Sequence, residues 1–230
     1  MTYFSSGRWP EIEEALILEE QFRANNGRGD PRNPDIIAQK GTRPIIITAL
    51  HAVVQFRNGK KKLNERYTGT LAIQLLRRTG ASVIIGARTP PETPYWNEQD
   101  YYGNWLRQFV YDPVLPAKIV LDLHGLSGTV SWDAIIGTGQ GKNLVGRHDL
   151  VEQIAALFRA ANITNFAIDV KGYASVTSQT IASFVARQFQ IPALQLEFGA
   201  AWRDPETDPQ KYSRLLSLLC LEVETIATSL

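Results

Sequence analysis

The chain has 230 residues, 44% of them hydrophobic, which is long enough to bury a sizeable core as one α/β domain spanning residues 1–230. Its 24 basic and 23 acidic residues give a formal net charge of +1, so we expect no overall attraction to nucleic acid or to an anionic membrane. The sequence has no run of about 18 apolar residues and no signal-peptide pattern, which excludes the membrane-spanning class and favours a cytoplasmic protein.

Six runs rich in Ile and Val, bounded by turn residues, predict β-strands near residues 45–50, 82–87, 117–123, 133–136, 165–170 and 192–198. Amphipathic stretches predict helices at 65–79, 149–161, 177–189 and 208–227. The last helix contains the single cysteine, Cys220, which we expect to be buried and reduced. Strands that alternate with helices are typical of a mostly parallel mixed sheet between two helical layers, a three-layer α/β/α fold.

Two irregular segments, 24–44 and 89–104, interrupt this alternation. Long insertions in a compact α/β domain are often binding loops or lids, and the sequence leaves open whether these two segments are. The second segment and its surroundings are rich in aromatic residues, which line a lid over an organic substrate or pack against the core: Tyr95, Trp96, Tyr101, Tyr102 and Trp105.

Four ionisable residues lie at the ends of predicted strands: His51, His124, Asp169 and Glu197. In open parallel sheets, ligands bind beyond the carboxyl ends of the strands. If these strands are neighbours, the two histidines and Glu197 converge. The pattern predicts a metal site with a carboxylate beside it, although a histidine at a strand end is also a common hydrogen-bonded structural residue.

Zinc suits two neutral imidazoles and one carboxylate, with a fourth position left for water. Glu65 and Asp122 are both candidates for the third ligand. Glu65 follows His51 by fourteen residues, at the start of a predicted helix that a loop can fold back towards the strand. Asp122 shares a strand face with His124, so it is a ligand or a residue that orients the imidazole. We favour Glu65.

Glu197 stands inside the apolar run "IPALQLEFGAAW", where an ionised carboxylate without a partner is strongly disfavoured. It therefore requires a cation, a metal-bound water or Arg203. A different arrangement, with Ser127 as nucleophile and His148 as its base, is also open, although "HGLSGT" lacks the last glycine of a nucleophile elbow.

The strand that ends in His51, the "DLHG" of residues 122–125 and the "ALQLEFGAAWR" of residues 193–203 resemble the N-formylglutamate amidohydrolases. The resemblance covers roughly residues 45–205 and implies a phosphorylase/hydrolase-like fold similar to that of the zinc carboxypeptidases. The HxxE pair of the carboxypeptidases is absent, because no histidine here precedes a glutamate by three residues. The resemblance implies that His51, Glu65 and His124 hold zinc and that Glu197 takes a proton from water.

Both lines of reasoning select the same four residues, His51, Glu65, His124 and Glu197. The resemblance implies the reaction as well, a zinc-dependent hydrolysis of an amide bond next to a carboxylate in a small substrate. Arg57 and Arg203 are expected to bind the substrate carboxylate or the developing oxyanion. The alternatives are a metallopeptidase that acts on γ-glutamyl or C-terminal peptide bonds, and a non-catalytic member that binds a small ligand. Another divalent ion in place of zinc is a further alternative.

Overall fold

The structure, a computed structural model, describes residues 9–57, 60–89, 98–175 and 180–230. Its strands, in chain order, are β1 (Ile36–Gln39), β2 (Ile45–Ala49), β3 (Gln55–Arg57), β4 (Lys60–Lys62), β5 (Ser82–Gly86), β6 (Ile119–Gly125), β7 (Ala134–Gly137), β8 (Phe166–Ile168) and β9 (Ala193–Phe198). Its helices are α1 (Pro10–Gly27), α2 (Thr68–Thr79), α3 (Glu98–Val110), α4 (Asp149–Ala160), α5 (Ile181–Phe189), α6 (Ala200–Arg203) and α7 (Pro209–Thr228), with one 3₁₀ turn at Lys142–Leu144.

Seven of the strands form one mixed sheet in the order β1-β5-β2-β6-β9-β7-β8, while β3 and β4 form a separate hairpin. The four central strands β5, β2, β6 and β9 are parallel, β1 is antiparallel to β5, and β7 is antiparallel to β9. All six predicted strands and all four predicted helices are present. The carboxyl ends of β2, β6 and β9 therefore lie side by side at the middle of one sheet edge.

Alternate residues of the central strands pack into two separate cores. In β2, Ile45 and Ile47 face the helices α1, α2, α4 and α7, whereas Ile46 faces α3 and α5. Both faces are apolar because each is covered by helices, as parallel sheets require. This arrangement confirms the three-layer α/β/α fold with a mostly parallel sheet.

The prediction of two irregular loops at 24–44 and 89–104 is wrong in part. Strand β1 occupies residues 36–39, where the apolar pair Ile36 and Ile37 extends the sheet at its edge. The backbone of Ala24, Asn25 and Asn26 is non-helical, so α1 is interrupted where the first irregular segment was predicted to begin. Helix α3 begins at residue 98, and Tyr102 and Trp105 pack in the core that it shares with α5. Residues 90–97, with the predicted lid residues Tyr95 and Trp96, lie outside the described residues.

Local signals fix several helix ends. Gly80 ends α2 with a φ of 74°, a left-handed conformation that glycine adopts without strain. Asp208 begins α7, and its side chain accepts hydrogen bonds from the backbone N–H groups of Gln210 and Lys211. Cys220 on this helix is half-buried rather than fully buried. No helix in the described ranges has the length and apolar character needed to cross a bilayer.

Candidate metal centre

The three predicted ligand residues come together at the carboxyl ends of β2 and β6. His51 follows β2 by two residues, and His124 lies in β6 rather than after it. Glu65 lies in the loop just before α2, and its backbone N–H donates to the carbonyl of His51 at 2.7 Å. This backbone hydrogen bond folds the loop back onto the strand end, which brings Glu65 to the two histidines.

The Glu65 carboxylate lies between the two imidazole rings. Its Oε1 is 2.8 Å from Nδ1 of His51, and its Oε2 is 3.3 Å from Nδ1 of His124. One ligand atom from each of the three residues lies within 4.8 Å of the others, and all three side chains are buried. They form a group that could hold a metal ion.

Two further donors fix the Glu65 carboxylate in place. Nζ of Lys62 donates to Oε1 at 2.8 Å, and the backbone N–H of Gly125 donates to Oε2 at 2.9 Å. Burial alone would raise the pKa of Glu65, but the charges of His51 and His124 lower it well below its usual value. The carboxylate is therefore ionised and available as a ligand.

The sequence left two roles open for Asp122, a metal ligand or a residue that orients the imidazole of His124. Its contacts fit the orienting role. Nε2 of His124 donates to Oδ2 of Asp122 at 2.9 Å, on the ring side away from Glu65, and the hydroxyl of Thr48 donates to Oδ1 at 2.5 Å. Burial would lower the pKa of His124, but Asp122 and Glu65 together raise it well above its usual value. Asp122 thus selects the ring orientation that turns Nδ1 towards Glu65.

This donor set fits a divalent cation. The Nε2–H group of His124 donates its hydrogen bond to Asp122. The lone pair of Nδ1 on the same ring then faces an oxygen of Glu65 at 3.3 Å. Two acceptors hold this geometry only with a positive charge between them, either a proton or a metal ion. Two imidazoles and a carboxylate are ligands that zinc and similar borderline ions accept.

Glu197 lies beside this group in β9, where it is the cross-strand partner of His124. Its carboxylate accepts a hydrogen bond from Nε2 of Gln195 at 2.7 Å. Burial raises the pKa of Glu197, and the negative charge of Glu65 adds to the effect, whereas His124 opposes it. The carboxyl group is therefore more basic than an exposed glutamate.

Of the alternative partners considered for Glu197, Arg203 does not pair with it. Arg203 is buried, and its guanidinium donates to three backbone carbonyls, those of Phe198 at 3.1 Å, Arg66 at 2.5 Å and Leu126 at 3.5 Å. These hydrogen bonds fasten the segment after β9 to the neighbouring loops. Arg203 still lines the cleft, where its positive charge acts on any anionic ligand.

A cleft of about 590 Å³ opens onto the metal centre. Besides Arg203, the basic side chains of Arg57 and Lys62 line it, and both belong to the hairpin β3–β4. Nη2 of Arg57 lies 2.7 Å from Nε2 of His51, and the same guanidinium donates to the side chain of Gln55. Hydrogen bonds therefore hold Arg57 at the wall of the cleft, next to the candidate metal ligands.

Other sequence-predicted groups do not join the metal centre. Asp169 does not join the site, because β7 and β8 run opposite to β9; its carboxylate accepts from the backbone N–H and the hydroxyl of Thr138. Ser127 lines the cleft and pairs with Thr129, while His148 precedes α4 and is not among the cleft-lining residues. The arrangement of Ser127 with His148 as base therefore finds no support among the described residues.

Gln195 and Tyr173 are among the cleft-lining residues that were not predicted from the sequence. Gln195 stands two positions before Glu197, so strand alternation within "ALQLE" could have placed it on the same face. Tyr173 follows β8 in a loop with no periodic pattern, and no comparable signal marks it. Burial raises the pKa of Tyr173, and the nearby carboxylates of Glu197 and Glu65 raise it further, which keeps its hydroxyl protonated at neutral pH.

No protein-family model and no curated protein sequence matches the chain. Solved structures do match it. A bacteriophage poly-gamma-glutamate hydrolase aligns with a TM-score of 0.55 and 12% identity over 84% of this chain and 89% of its own. A gene product of Agrobacterium tumefaciens aligns with a TM-score of 0.52 and 10% identity over 86% of this chain and 96% of its own.

A metallo-carboxypeptidase from Burkholderia cenocepacia aligns with a TM-score of 0.51 and 11% identity over 93% of this chain and 68% of its own. At these identities the likeness shows the fold alone. The chain shares its α/β/α fold with this metallo-carboxypeptidase and with the phage poly-gamma-glutamate hydrolase.

Proposed function

We propose that this protein is a zinc-dependent hydrolase that cleaves an amide bond next to a carboxylate, with His51, Glu65 and His124 as the metal ligands. The observation that carries the proposal is the buried carboxylate of Glu65 between two Nδ1 atoms at the floor of an open cleft. When bound there, zinc polarises a substrate carbonyl and lowers the pKa of water from about 15.7 to near 7.

Glu197 is the general base and then the general acid. Its carboxylate accepts a proton from the attacking water and delivers it to the leaving nitrogen. Burial supports this role, because it raises the pKa of Glu197 and so brings the carboxyl group closer to the acidity of the groups it must exchange protons with. The position of Glu197 opposite His124 in the sheet puts it beside the metal ligands.

The cleft charges favour an anionic substrate. Arg57, Lys62 and Arg203 line the cleft. We assign the substrate carboxylate to Arg57, because its guanidinium is next to a proposed metal ligand, with Nη2 2.7 Å from Nε2 of His51. A planar guanidinium matches a carboxylate through two parallel hydrogen bonds. N-formylglutamate and related N-acyl amino acids have the required amide and carboxylate.

A second candidate, hydrolysis of γ-glutamyl bonds, is supported by the hairpin β3–β4. Arg57 pairs with Lys60, and Gln55 pairs with Lys62, so these cross-strand partners share one hairpin face. The basic side chains on this face extend from the metal centre to the surface, where Lys60 is exposed. Such a row suits a substrate with several carboxylates, and one protein of similar fold is a poly-gamma-glutamate hydrolase.

Metal analysis tests the centre directly. Protein purified without chelator should contain about one equivalent of zinc, and His51→Ala and His124→Ala should each contain less than a tenth of it. His148→Ala is the matched control, because that histidine does not line the cleft, and it should keep the wild-type content. Wild-type protein without any divalent metal after zinc loading would contradict the proposal.

Turnover separates the candidate activities. Formyl- and acyl-amino acids, γ-glutamyl oligomers and short α-peptides should be compared with wild-type protein and with Glu197→Gln. The variant should keep its metal and lose turnover of the preferred substrate, because it no longer accepts a proton. Bound metal with no turnover of any of these amides would favour a non-catalytic member that binds a small ligand.

A further inference from the structure

Gln195 stands in the middle of the sheet, next to the residue that we assign to proton transfer. It lies in β9 between Leu194 and Leu196, with Asp122 of β6 and Gly137 of β7 as its cross-strand partners. Its side chain is 5% exposed and faces the cleft together with Glu197. A neutral amide is therefore placed among groups that otherwise bind a metal or move a proton.

Gln195 is a hydrogen-bond donor to the Glu197 carboxylate. Within the described residues, the side chain of Glu197 accepts one side-chain hydrogen bond, from Nε2 of Gln195 at 2.7 Å. The nearby cations are engaged elsewhere, since Lys62 donates to Glu65 and Arg203 donates to backbone carbonyls. Without Gln195, the carboxylate would lose this anchor.

The amide oxygen of Gln195 indicates that this residue does not serve to stabilise the fold. Its Oε1 is buried, and the described part of the chain supplies no hydrogen-bond partner for it. A buried acceptor without a partner is unfavourable, and an apolar side chain of similar volume at this position would avoid that penalty. The donation to Glu197 is the contact that accounts for an amide here.

The neutrality of the donor also matters. An arginine beside a carboxylate would fix it equally well, but its charge would lower the carboxylate's proton affinity strongly. Glutamine donates without a net charge, so it restrains Glu197 and leaves it able to accept a proton. A base for proton transfer needs both properties.

We infer that Gln195 is a positioning residue that holds the Glu197 carboxylate in its orientation at the cleft through a neutral N–H donor. The inference rests on the proposed function for its catalytic consequence, whereas the restraint of Glu197 can be measured without turnover.

The test compares zinc-loaded wild type with Gln195→Met, which keeps the volume and removes the donor. Gln153→Met is the matched control, because Gln153 also has a buried amide atom without a partner but lies on α4, outside the cleft. Gln195→Met should keep its zinc and a melting temperature at or above that of wild type. Its kcat should fall by about tenfold to a hundredfold, with KM within about twofold. The control should match wild type in kcat and KM.

A second readout does not depend on activity. The ¹³C resonance of the Glu197 carboxyl carbon, assigned by its loss in Glu197→Gln, should titrate about one pH unit higher in Gln195→Met than in wild type, because the stabilising donor is gone. In wild type, the side-chain ¹⁵N resonance of Gln195 should titrate with the same midpoint as the carboxyl carbon of Glu197. This measurement uses wild-type protein alone, so it can be made even if Gln195→Met folds poorly.

An unchanged midpoint in Gln195→Met, or a Gln195 resonance that does not follow the titration of Glu197, would overturn the inference. So would a loss of kcat that parallels a loss of zinc, since that pattern marks a structural role. If wild type hydrolyses none of the amides, the proposed function fails, and the two titrations still decide whether Gln195 restrains Glu197.

Discussion

Glu222 on α7 is a buried acid whose removal should stabilise the protein above neutral pH. It is 1% exposed, and neither carboxyl oxygen has a hydrogen-bond partner within the described ranges. Burial raises its pKa from 4.5 to about 7. Below pH 4.5 both the folded and the unfolded chain are protonated at this group, so it does not affect stability there.

Between pH 4.5 and 7 the folded chain retains a proton that the unfolded chain has released, so stability falls as the pH rises through this window. A shift from 4.5 to about 7 corresponds to about 3 kcal/mol of lost stability, fully present above pH 7. Glu222→Gln removes this penalty. We expect the variant to be about 3 kcal/mol more stable than wild type at pH 8 and nearly equal to it at pH 4.5.

Urea unfolding at pH 4.5, 6 and 8 measures this difference for wild type and Glu222→Gln. Glu224→Gln is the matched control, because Glu224 is exposed on the same helix, and it should stay within about 0.5 kcal/mol of wild type at every pH. Equal stabilities of wild type and Glu222→Gln at pH 8, or a difference that does not vary with pH, would refute the reasoning.

Three further predictions concern the site and the fold. Asp122→Asn removes the charge behind His124 and should weaken zinc binding by about tenfold to a hundredfold in a chelator competition; an affinity within twofold of wild type would contradict the orienting role. Asp208→Ala removes the cap of α7 and should lower the free energy of unfolding by about 1 kcal/mol, measured by urea unfolding. Gly41→Ala should cost about 2 kcal/mol or more in the same assay, because its Cβ would lie 2.0 Å from the carbonyl oxygen of Gly80. Gly128→Ala, whose Cβ meets nothing within 4 Å, is its control.

The central part of the fold could be predicted from local pattern alone. The strands β2, β5, β6 and β9 are mostly apolar because helices cover both of their faces. Strand β1 escaped prediction because it is a short edge strand with only one fully buried residue, Ile36. Its pairing with β5 is a long-range contact that no local pattern reveals.

The hairpin β3–β4 did leave a signal in the sequence. Asn58 and Gly59 stand between its strands, and this dipeptide is typical of a tight hairpin turn. The three lysines of β4 obscured it, because lysine is uncommon in strands and the run reads as a solvated turn. Two cleft-lining basic residues, Arg57 and Lys62, belong to this hairpin.

The part of the candidate site that lies at strand ends could be predicted from the sequence. His51, His124 and Glu197 were grouped because parallel strands direct their carboxyl ends to one edge, and Glu65 was added because a loop could fold it back to the strand end. The structure brings Glu65 to the two histidines and places Glu197 opposite His124. The same rule failed for Asp169, because β7 and β8 run antiparallel to β9 and end at the opposite edge of the sheet. The direction of a strand within the sheet cannot be read from its local sequence. The partner of Glu197 was also beyond prediction, since Arg203 and Gln195 are both near in sequence and only packing decides between them.

The loop from His51 to Glu65 spans fourteen positions and carries the hairpin β3–β4, whereas His124 belongs to a central strand. An ion shared by all three residues is thus a reversible crosslink between this loop and the rigid sheet. Such a crosslink stabilises the folded state by removing entropy from the unfolded chain, and this effect grows with the logarithm of the chain length that it closes. Tying the loop to His124 therefore contributes more than tying His51 to Glu65. Chelation should therefore remove the metal and also loosen the hairpin β3–β4. Tryptic cleavage after Lys60 and Lys61 should then become faster, and its rate would report metal occupancy.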